Sequence, residues 1–175
     1  MSILTPILET TCTKREADLR AAAGPVATTN TAVARVIENQ HSEATVRGFT
    51  LVQDEPASVA GTGKGPTPTD YFVASIAFCE NVIFARTAAL SDLDVEALET
   101  TVTGDWDQRG LFEIGGATSA FRHVRVETRV TTRGRAKLAV EVARATHRRC
   151  PVHQTLKAAT DLSFALFVNG REVAL

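Results

Sequence analysis

The segment GPTPTDYFVASIAFCENVIFARTAAL, residues 65–90, is the most informative stretch of this chain. A turn of glycine and prolines precedes an apolar run, and Pro68 stands where proline commonly opens a helix. Between residues 71 and 90 the few polar side chains form no broad hydrophilic face, which predicts a helix buried on most sides. Cys79 lies near the middle of this helix and could serve either packing or chemistry.

The flanking sequence predicts a single mixed domain. Residues 28–56 hold two alternating, β-branched runs that predict a pair of antiparallel strands. Downstream, we expect strands at 96–107 and 121–132, helices at 136–149 and 151–159, and a final strand in LSFALFVN, residues 162–169. Residues 1–27 carry a helix-competent run that ends at Gly24-Pro25, and we interpret them as an N-terminal appendage to a domain covering residues 28–175. The order predicts an α+β fold, with antiparallel sheet packed on a long central helix.

Composition narrows the possible partners. The chain has 175 residues and a formal charge of -1, so it lacks the basic surplus typical of proteins that bind nucleic acid or anionic membranes. The N-terminal segment has no basic region followed by an apolar signal core, and we expect a cytoplasmic protein. A small molecule or another protein is therefore the expected partner.

Three cysteines, Cys12, Cys79 and Cys150, are widely spaced and do not form a secreted disulfide framework. A thiol reacts as its thiolate, and burial in apolar surroundings raises the thiol pKa. A reactive Cys79 would therefore need a nearby cation or hydrogen-bond donor, whereas an inert, buried Cys79 would need neither.

The sequence HRRCPVH, residues 147–153, places His147, Cys150 and His153 at every third position. A structural zinc site needs four ligands, and the other cysteines occur singly, so we expect no metal site. The basic residues are also typical of an exposed helix end, where the helix dipole favours positive charge. GTGKGPTP, residues 61–68, lacks the Gly-Lys-Ser/Thr ending of a phosphate-binding loop.

Several motifs together resemble the OsmC/Ohr family, named for osmotically induced protein C and organic hydroperoxide resistance protein. They are DEP at 54–56, the glycine-rich loop after it, GPTPTDYFVASIAFC at 65–79 and CPVHQTLKA at 150–158. The resemblance covers roughly residues 28–170, and the DEP and GPTP elements are closer to the general OsmC-like branch than to the hydroperoxide-resistance branch.

The resemblance implies an intertwined α+β homodimer with two active sites at the subunit interface. It also implies a cysteine-based peroxidase without a bound cofactor. Cys79 would attack an organic hydroperoxide to give a sulfenic acid, and Cys150 would condense with it to form a disulfide. An external dithiol, in some members a lipoyl group, would then reduce that disulfide.

In the family an arginine lowers the pKa of the attacking thiol, and a carboxylate holds that arginine. The carboxylate matches Asp70, where many members have a glutamate that is one methylene longer. Arg47 is our first candidate for the arginine and Arg35 the second, because both are expected on strands that could lie against the central helix. Either could equally be an exposed strand arginine.

Two other functions remain open from the sequence. The shorter carboxylate and the unplaced arginine would also suit a non-catalytic, dimeric module that binds a small molecule. A redox sensor or disulfide exchanger would form the same disulfide with negligible turnover. Cys12 lies outside the matching motifs, and we expect it to be incidental.

Overall fold

The computed structural model describes residues 1–133 and 135–158, together with the backbone of two short strands near the C-terminus. The helices are α1 (Pro6–Ala21), α2 (Pro68–Ala89), α3 (Ala136–Arg149) and α4 (Pro151–Lys157). The strands are β1 (Val33–Glu38), β2 (His41–Val46), β3 (Phe49–Gln53), β4 (Val95–Asp105), β5 (His123–Thr132), β6 (Leu166–Val168) and β7 (Arg171–Val173). This confirms the predicted α+β class.

The central helix α2 begins where the proline-rich turn predicts. Thr67 is its N-cap, and Pro68 occupies the first turn. The Thr67 hydroxyl accepts a hydrogen bond from the Asp70 backbone N–H, and the Asp70 carboxylate accepts one from the Thr67 backbone N–H at 2.9 Å. This reciprocal capping box satisfies two backbone donors that the helix itself leaves free.

Helix α2 meets the length and apolar composition of a membrane span, but so do core helices of folded domains. Its residues Ile76, Phe84 and Ala88 are fully buried inside the protein. Its fully buried, charged residue Glu80 likewise faces protein rather than lipid. These features make α2 the core helix of an α+β domain.

Strands β4 and β5 form a long antiparallel ladder that α2 and α3 cover. The ladder runs from Val95 opposite Thr132 to Asp105 opposite His123. Alternate residues of β4 point inward, as expected for a sheet with one covered face. The hydrophobic core lies between this ladder and the two helices and contains Phe84, Ala88, Leu93, Val95, Ala139 and Val142.

The first sheet has three strands in the order β1-β2-β3, where the sequence predicted two. The run ATVRGFTLVQDE looks continuous, but Arg47 and Gly48 both have positive φ, 50° and 84°, and form a two-residue hairpin turn. Arg47 therefore lies in a turn rather than in a strand. Every residue of β1 is exposed, so this sheet leaves apolar surface uncovered within one chain.

The N-terminal segment is attached to the core. Helix α1 starts before the predicted run and ends at Ala21, ahead of Gly24-Pro25. The backbone N–H of Ile3 donates to the carbonyl oxygen of Val95 at 2.7 Å, and Leu4 packs against the core. At the other end, β6 coincides with part of the predicted final strand and pairs with β7, whereas residues 162–165 and 169 of that prediction lie outside the described residues.

Candidate active site

Two of the predicted site residues, Cys79 and Cys150, lie in contact. Their Sγ atoms are 3.0 Å apart although the residues are separated by 71 positions in sequence. Both are free thiols; Cys150 is buried and Cys79 is half-buried. A disulfide requires about 2.05 Å between the sulfurs, so a shift of about 1 Å would close the bond.

Cys150 is held in place by the junction between two helices. Helix α3 ends at Arg149, and Pro151 opens α4, so the extended Cys150 flanks both helices. Burial, helped by the hydrogen bond with Cys79, raises the pKa of the Cys150 thiol to about 11, although the backbone N–H groups of Val152 and His153 favour the thiolate. At neutral pH Cys150 is therefore a protonated thiol.

A buried polar cluster lies between α2, α3, α4 and β5. Glu80, the residue after Cys79, is fully buried, and its Oε1 accepts a hydrogen bond from the Thr128 hydroxyl at 3.2 Å. The same oxygen is 3.4 Å from His147 Nε2, and Glu80 Oε2 is 3.7 Å from His153 Nδ1. The two histidines of the HRRCPVH sequence thus converge on a carboxylate.

These histidines do not form a recognisable metal site. Within residues 1–133 and 135–158, no three His, Cys, Asp or Glu side chains have a metal-binding arrangement. His147 is half exposed, whereas His153 is almost completely buried, and the two rings are 5.6 Å apart. Burial lowers the pKa of His153, so its imidazole is neutral at pH 7.

A pocket of about 320 Å³ opens beside the cluster. The pocket is lined by Ile76, Val124, Val126, His147, His153, Leu156 and Lys157. The two histidines and the lysine are its polar groups, and the other side chains are apolar. A small ligand with an apolar body would fit this lining.

The predicted activating groups are not assembled within one chain. The Asp70 carboxylate is exposed and accepts hydrogen bonds from Thr67 as part of the helix cap. Arg47 lies in the exposed β2–β3 turn, and Arg35 is an exposed residue of β1 that pairs with Glu43 in the strand register. Among the described residues, neither arginine forms an ion pair with Asp70.

A second buried carboxylate orders the loop before α2. Asp54, in the DEP motif, is almost fully buried and accepts hydrogen bonds from the backbone N–H groups of Glu55, Thr62 and Lys64. It also accepts one from the Thr62 hydroxyl, and this hydrogen bond is the largest of the effects that hold the Asp54 pKa far below its usual range. The glycine-rich loop is therefore tied to the end of β3.

Sequence reasoning did not identify Glu80 as part of the site. A charged residue directly after the cysteine, inside an otherwise apolar helix, was the available signal. Buried carboxylates are rare unless paired, so a buried residue at this position requires polar partners. Its partners, at positions 128, 147 and 153, are distant in sequence and are brought close only by the packing of α3, α4 and β5 onto α2.

Comparison with known proteins agrees with this architecture. The family described as OsmC-like protein matches residues 61–165, a segment that contains both cysteines. No curated protein matches the sequence significantly.

Several solved structures share the fold. An OsmC-like protein from Mycoplasma pneumoniae superposes with a TM-score of 0.65 at 20% identity, over 75% of this chain and 89% of that chain. An organic hydroperoxide resistance protein OsmC from Legionella pneumophila gives 0.57 at 20% identity, over 76% and 92%. An organic hydroperoxide resistance protein from Elizabethkingia anophelis gives 0.60 at 12% identity, over 77% and 91%. The family match and the shared fold together establish that this chain belongs to the OsmC-like protein family.

Proposed function

We propose that this protein is a thiol-dependent peroxidase that reduces organic hydroperoxides. The observation that carries the proposal is the 3.0 Å approach of Cys79 and Cys150 on two different elements of the fold. Family membership and the hydroperoxide-resistance descriptions of two structural relatives agree with it.

The proposed reaction has two chemical steps followed by reduction. The Cys79 thiolate attacks the hydroperoxide, the O–O bond breaks, and the products are an alcohol and a Cys79 sulfenic acid. The Cys150 thiol then condenses with that sulfenic acid, releasing water and forming the disulfide. An external dithiol, such as a lipoyl group, reduces the disulfide and returns both thiols.

The half-buried Cys79 is assigned the attacking role, and the fully buried Cys150 the resolving role. Cys79 retains exposed surface, whereas Cys150 has none. The raised pKa of Cys150 makes it a poor first nucleophile at neutral pH. A peroxide would therefore meet Cys79 first.

We further propose that two copies of the chain complete each site. Large apolar side chains are exposed on the first sheet, including Val36, Ile37 and Phe49, and on α2, including Phe78 and Val82. Phe78 and Val82 lie on the helix that carries Cys79, so part of the α2 surface is uncovered in one chain. A second copy whose first sheet covers this face would bury the apolar side chains and bring Arg35 or Arg47 near Cys79.

The test is hydroperoxide consumption by the purified, reduced protein with a dithiol present. We expect consumption of cumene hydroperoxide over many turnovers, and loss of that consumption in Cys79→Ser. Cys12→Ser is the matched control, because it removes a half-buried thiol from α1 without touching the Cys79–Cys150 contact. Equal consumption by the Cys79→Ser variant would refute the proposal.

A redox sensor is the second candidate, because the 3.0 Å contact allows one disulfide to form while Arg35 and Arg47, the predicted activating groups, are both exposed within one chain. A sensor would form the same disulfide once and would not turn over at a useful rate. Stoichiometric disulfide formation without further consumption of peroxide, at saturating dithiol, would select the sensor over the peroxidase.

A further inference from the structure

A second pocket lies between the N-terminal helix α1 and the core helices. It has a volume of about 630 Å³ and is lined by seven residues of α1, by Arg86 and Leu90 at the C-terminal end of α2, and by Arg149, the last residue of α3. Helix α1 lies outside residues 61–165, the segment that matches the OsmC-like family. The family match therefore does not account for this pocket.

Helix α1 turns one side toward the pocket. Leu8, Cys12 and Glu16 recur every four residues, are half-buried and all line the pocket. Residues at this spacing share one face of a helix. No residue of α1 (Pro6–Ala21) is fully buried, so the helix faces α2 across the pocket and its inner side chains remain accessible.

Part of the lining is aliphatic. Leu8 and Leu19 come from α1, and Leu90 comes from the end of α2. Leu19 is 44% exposed and Leu90 is 37% exposed, so both retain apolar surface that a ligand can cover. Burying such surface against an alkyl chain is favourable in proportion to the apolar area removed from water.

The rest of the lining is strongly basic. It contains four arginines and one carboxylate: Arg15, Arg20, Arg86, Arg149 and Glu16. Arg20 Nε donates to Glu16 Oε1 at 3.0 Å, which pairs that carboxylate. Within residues 1–133 and 135–158, the ion pairs that arginines form involve positions other than 15, 86 and 149. Three guanidinium groups on three helices thus face one pocket without a carboxylate partner among the described residues.

We propose that this pocket binds a single-chain alkyl carboxylate, at a site separate from the Cys79–Cys150 pair. The leucines supply the apolar surface for the alkyl chain, and the unpaired guanidinium groups supply the positive charge for the carboxylate. A guanidinium group matches a carboxylate well because it can donate two parallel hydrogen bonds to it. Binding is non-covalent and uses neither thiol of the proposed peroxidase reaction, so the inference does not depend on that function.

A second copy of the chain is the competing occupant of this pocket. Arg15, Arg86 and Arg149 are exposed, and a protein surface laid over them would remove water from three charged groups. That loss of hydration is costly unless carboxylates meet the guanidinium groups. An alkyl carboxylate brings its own counter-charge and leaves the mouth of the pocket open to water, so the charge pattern favours it.

The first experiment measures binding of radiolabelled dodecanoate to the reduced, full-length protein by equilibrium dialysis, below the concentration at which dodecanoate forms micelles. We expect saturable binding of about one molecule per chain. Octanoate should bind at least about tenfold more weakly, because each buried methylene tightens binding about fourfold. Dodecyltrimethylammonium has the same alkyl chain and the opposite charge, and it should not displace dodecanoate. Uptake that does not saturate, or equal displacement by the cation, would overturn the inference.

Substitutions then test the assignment to this pocket. Arg86→Gln and Arg149→Gln should each weaken dodecanoate binding about tenfold, the loss typical of one hydrogen bond to a charged group. Arg144→Gln is the matched control, because Arg144 is an exposed arginine of α3 that does not line the pocket. Wild-type affinity in both pocket variants, or an equal loss in the control, would refute the assignment.

Cys12 gives a readout that needs no substitution. At a dodecanoate concentration about ten times its Kd, alkylation of Cys12 by a neutral maleimide should slow about tenfold, because the ligand then occupies most of the pockets. Alkylation of Cys79, followed in the same digests by mass spectrometry, should keep its rate. Slowing of Cys79 alone would place the ligand at the sulfur pair and overturn the inference. Absence of binding, with self-association lost in Arg86→Gln by sedimentation, would overturn it in favour of a second copy.

Discussion

Replacing Cys150 with serine should change the fate of oxidised Cys79 more than any other single substitution. The variant keeps Cys79, the fold and the neighbouring groups, but serine cannot form the disulfide. We expect the first oxidation to proceed and the Cys79 sulfenic acid to persist until an external reagent reacts with it.

The size of the effect follows from the geometry. Reacting atoms held about 3–3.5 Å apart can reach effective concentrations of at least about 10⁵ M. Raising the Cys150 pKa from 9.0 to about 11 lowers its thiolate fraction about 100-fold, so the effective concentration of the reacting Cys150 thiolate is still about 10³ M. An external monothiol at about 1 mM is then outcompeted about 10⁶-fold, so proximity outweighs the raised pKa.

The assay uses a chromogenic aromatic thiol during one turnover with an organic hydroperoxide. Wild-type protein should capture essentially none of it, and Cys150→Ser should capture one equivalent per chain. Cys12→Ser should behave like wild type. Capture of one equivalent by wild-type protein would show that Cys150 does not resolve Cys79, despite the short distance between the sulfurs.

Three further outcomes are expected. Because the pKa of Cys150 is about 11 in the folded protein and 9.0 in the unfolded chain, the stability that the buried thiol contributes is fully present below about pH 9. That contribution is lost as pH rises from about 9 to about 11, since the unfolded chain loses the thiol proton first. The free energy of unfolding in urea should therefore fall more steeply over this pH range for the wild type than for Cys150→Ser. Phe84→Ala should lower the unfolding free energy by about 3–5 kcal/mol, since Phe84 is fully buried in the core, and a loss below 1 kcal/mol would contradict that placement. Thr67→Ala should cost about 0.5–2 kcal/mol by removing the α2 cap, whereas Thr67→Ser should cost much less, and equal losses would argue against the capping role.

Local sequence patterns predicted the elements that carry the site. The apolar helix after Pro68, the long β4 and β5 strands and the amphipathic α3 all have clear periodicity or clear boundary residues. The third strand of the first sheet was missed because Arg47-Gly48 interrupts an otherwise continuous β-branched run. A tight turn needs only two residues with positive φ, and arginine is an uncommon choice for one of them.

The chemistry of the site depends on contacts that local patterns do not encode. The resemblance brought Cys79 and Cys150 together, but it did not identify Glu80, whose buried carboxylate lies near His147 and His153. In one chain the Asp70 carboxylate caps α2. Glu80 gains its partners only when α3, α4 and β5 pack on α2. The exposed positions of Arg35 and Arg47 agree with a site that one chain leaves incomplete.

The central claim is that Cys79 is oxidised by an organic hydroperoxide and resolved by Cys150. Mass spectrometry of the protein after one equivalent of cumene hydroperoxide, with free thiols alkylated on quenching, tests it most directly. We predict one disulfide per chain, joining the peptides that contain Cys79 and Cys150, and an alkylated Cys12. Alkylation of all three cysteines, with the hydroperoxide unconsumed, would contradict the claim.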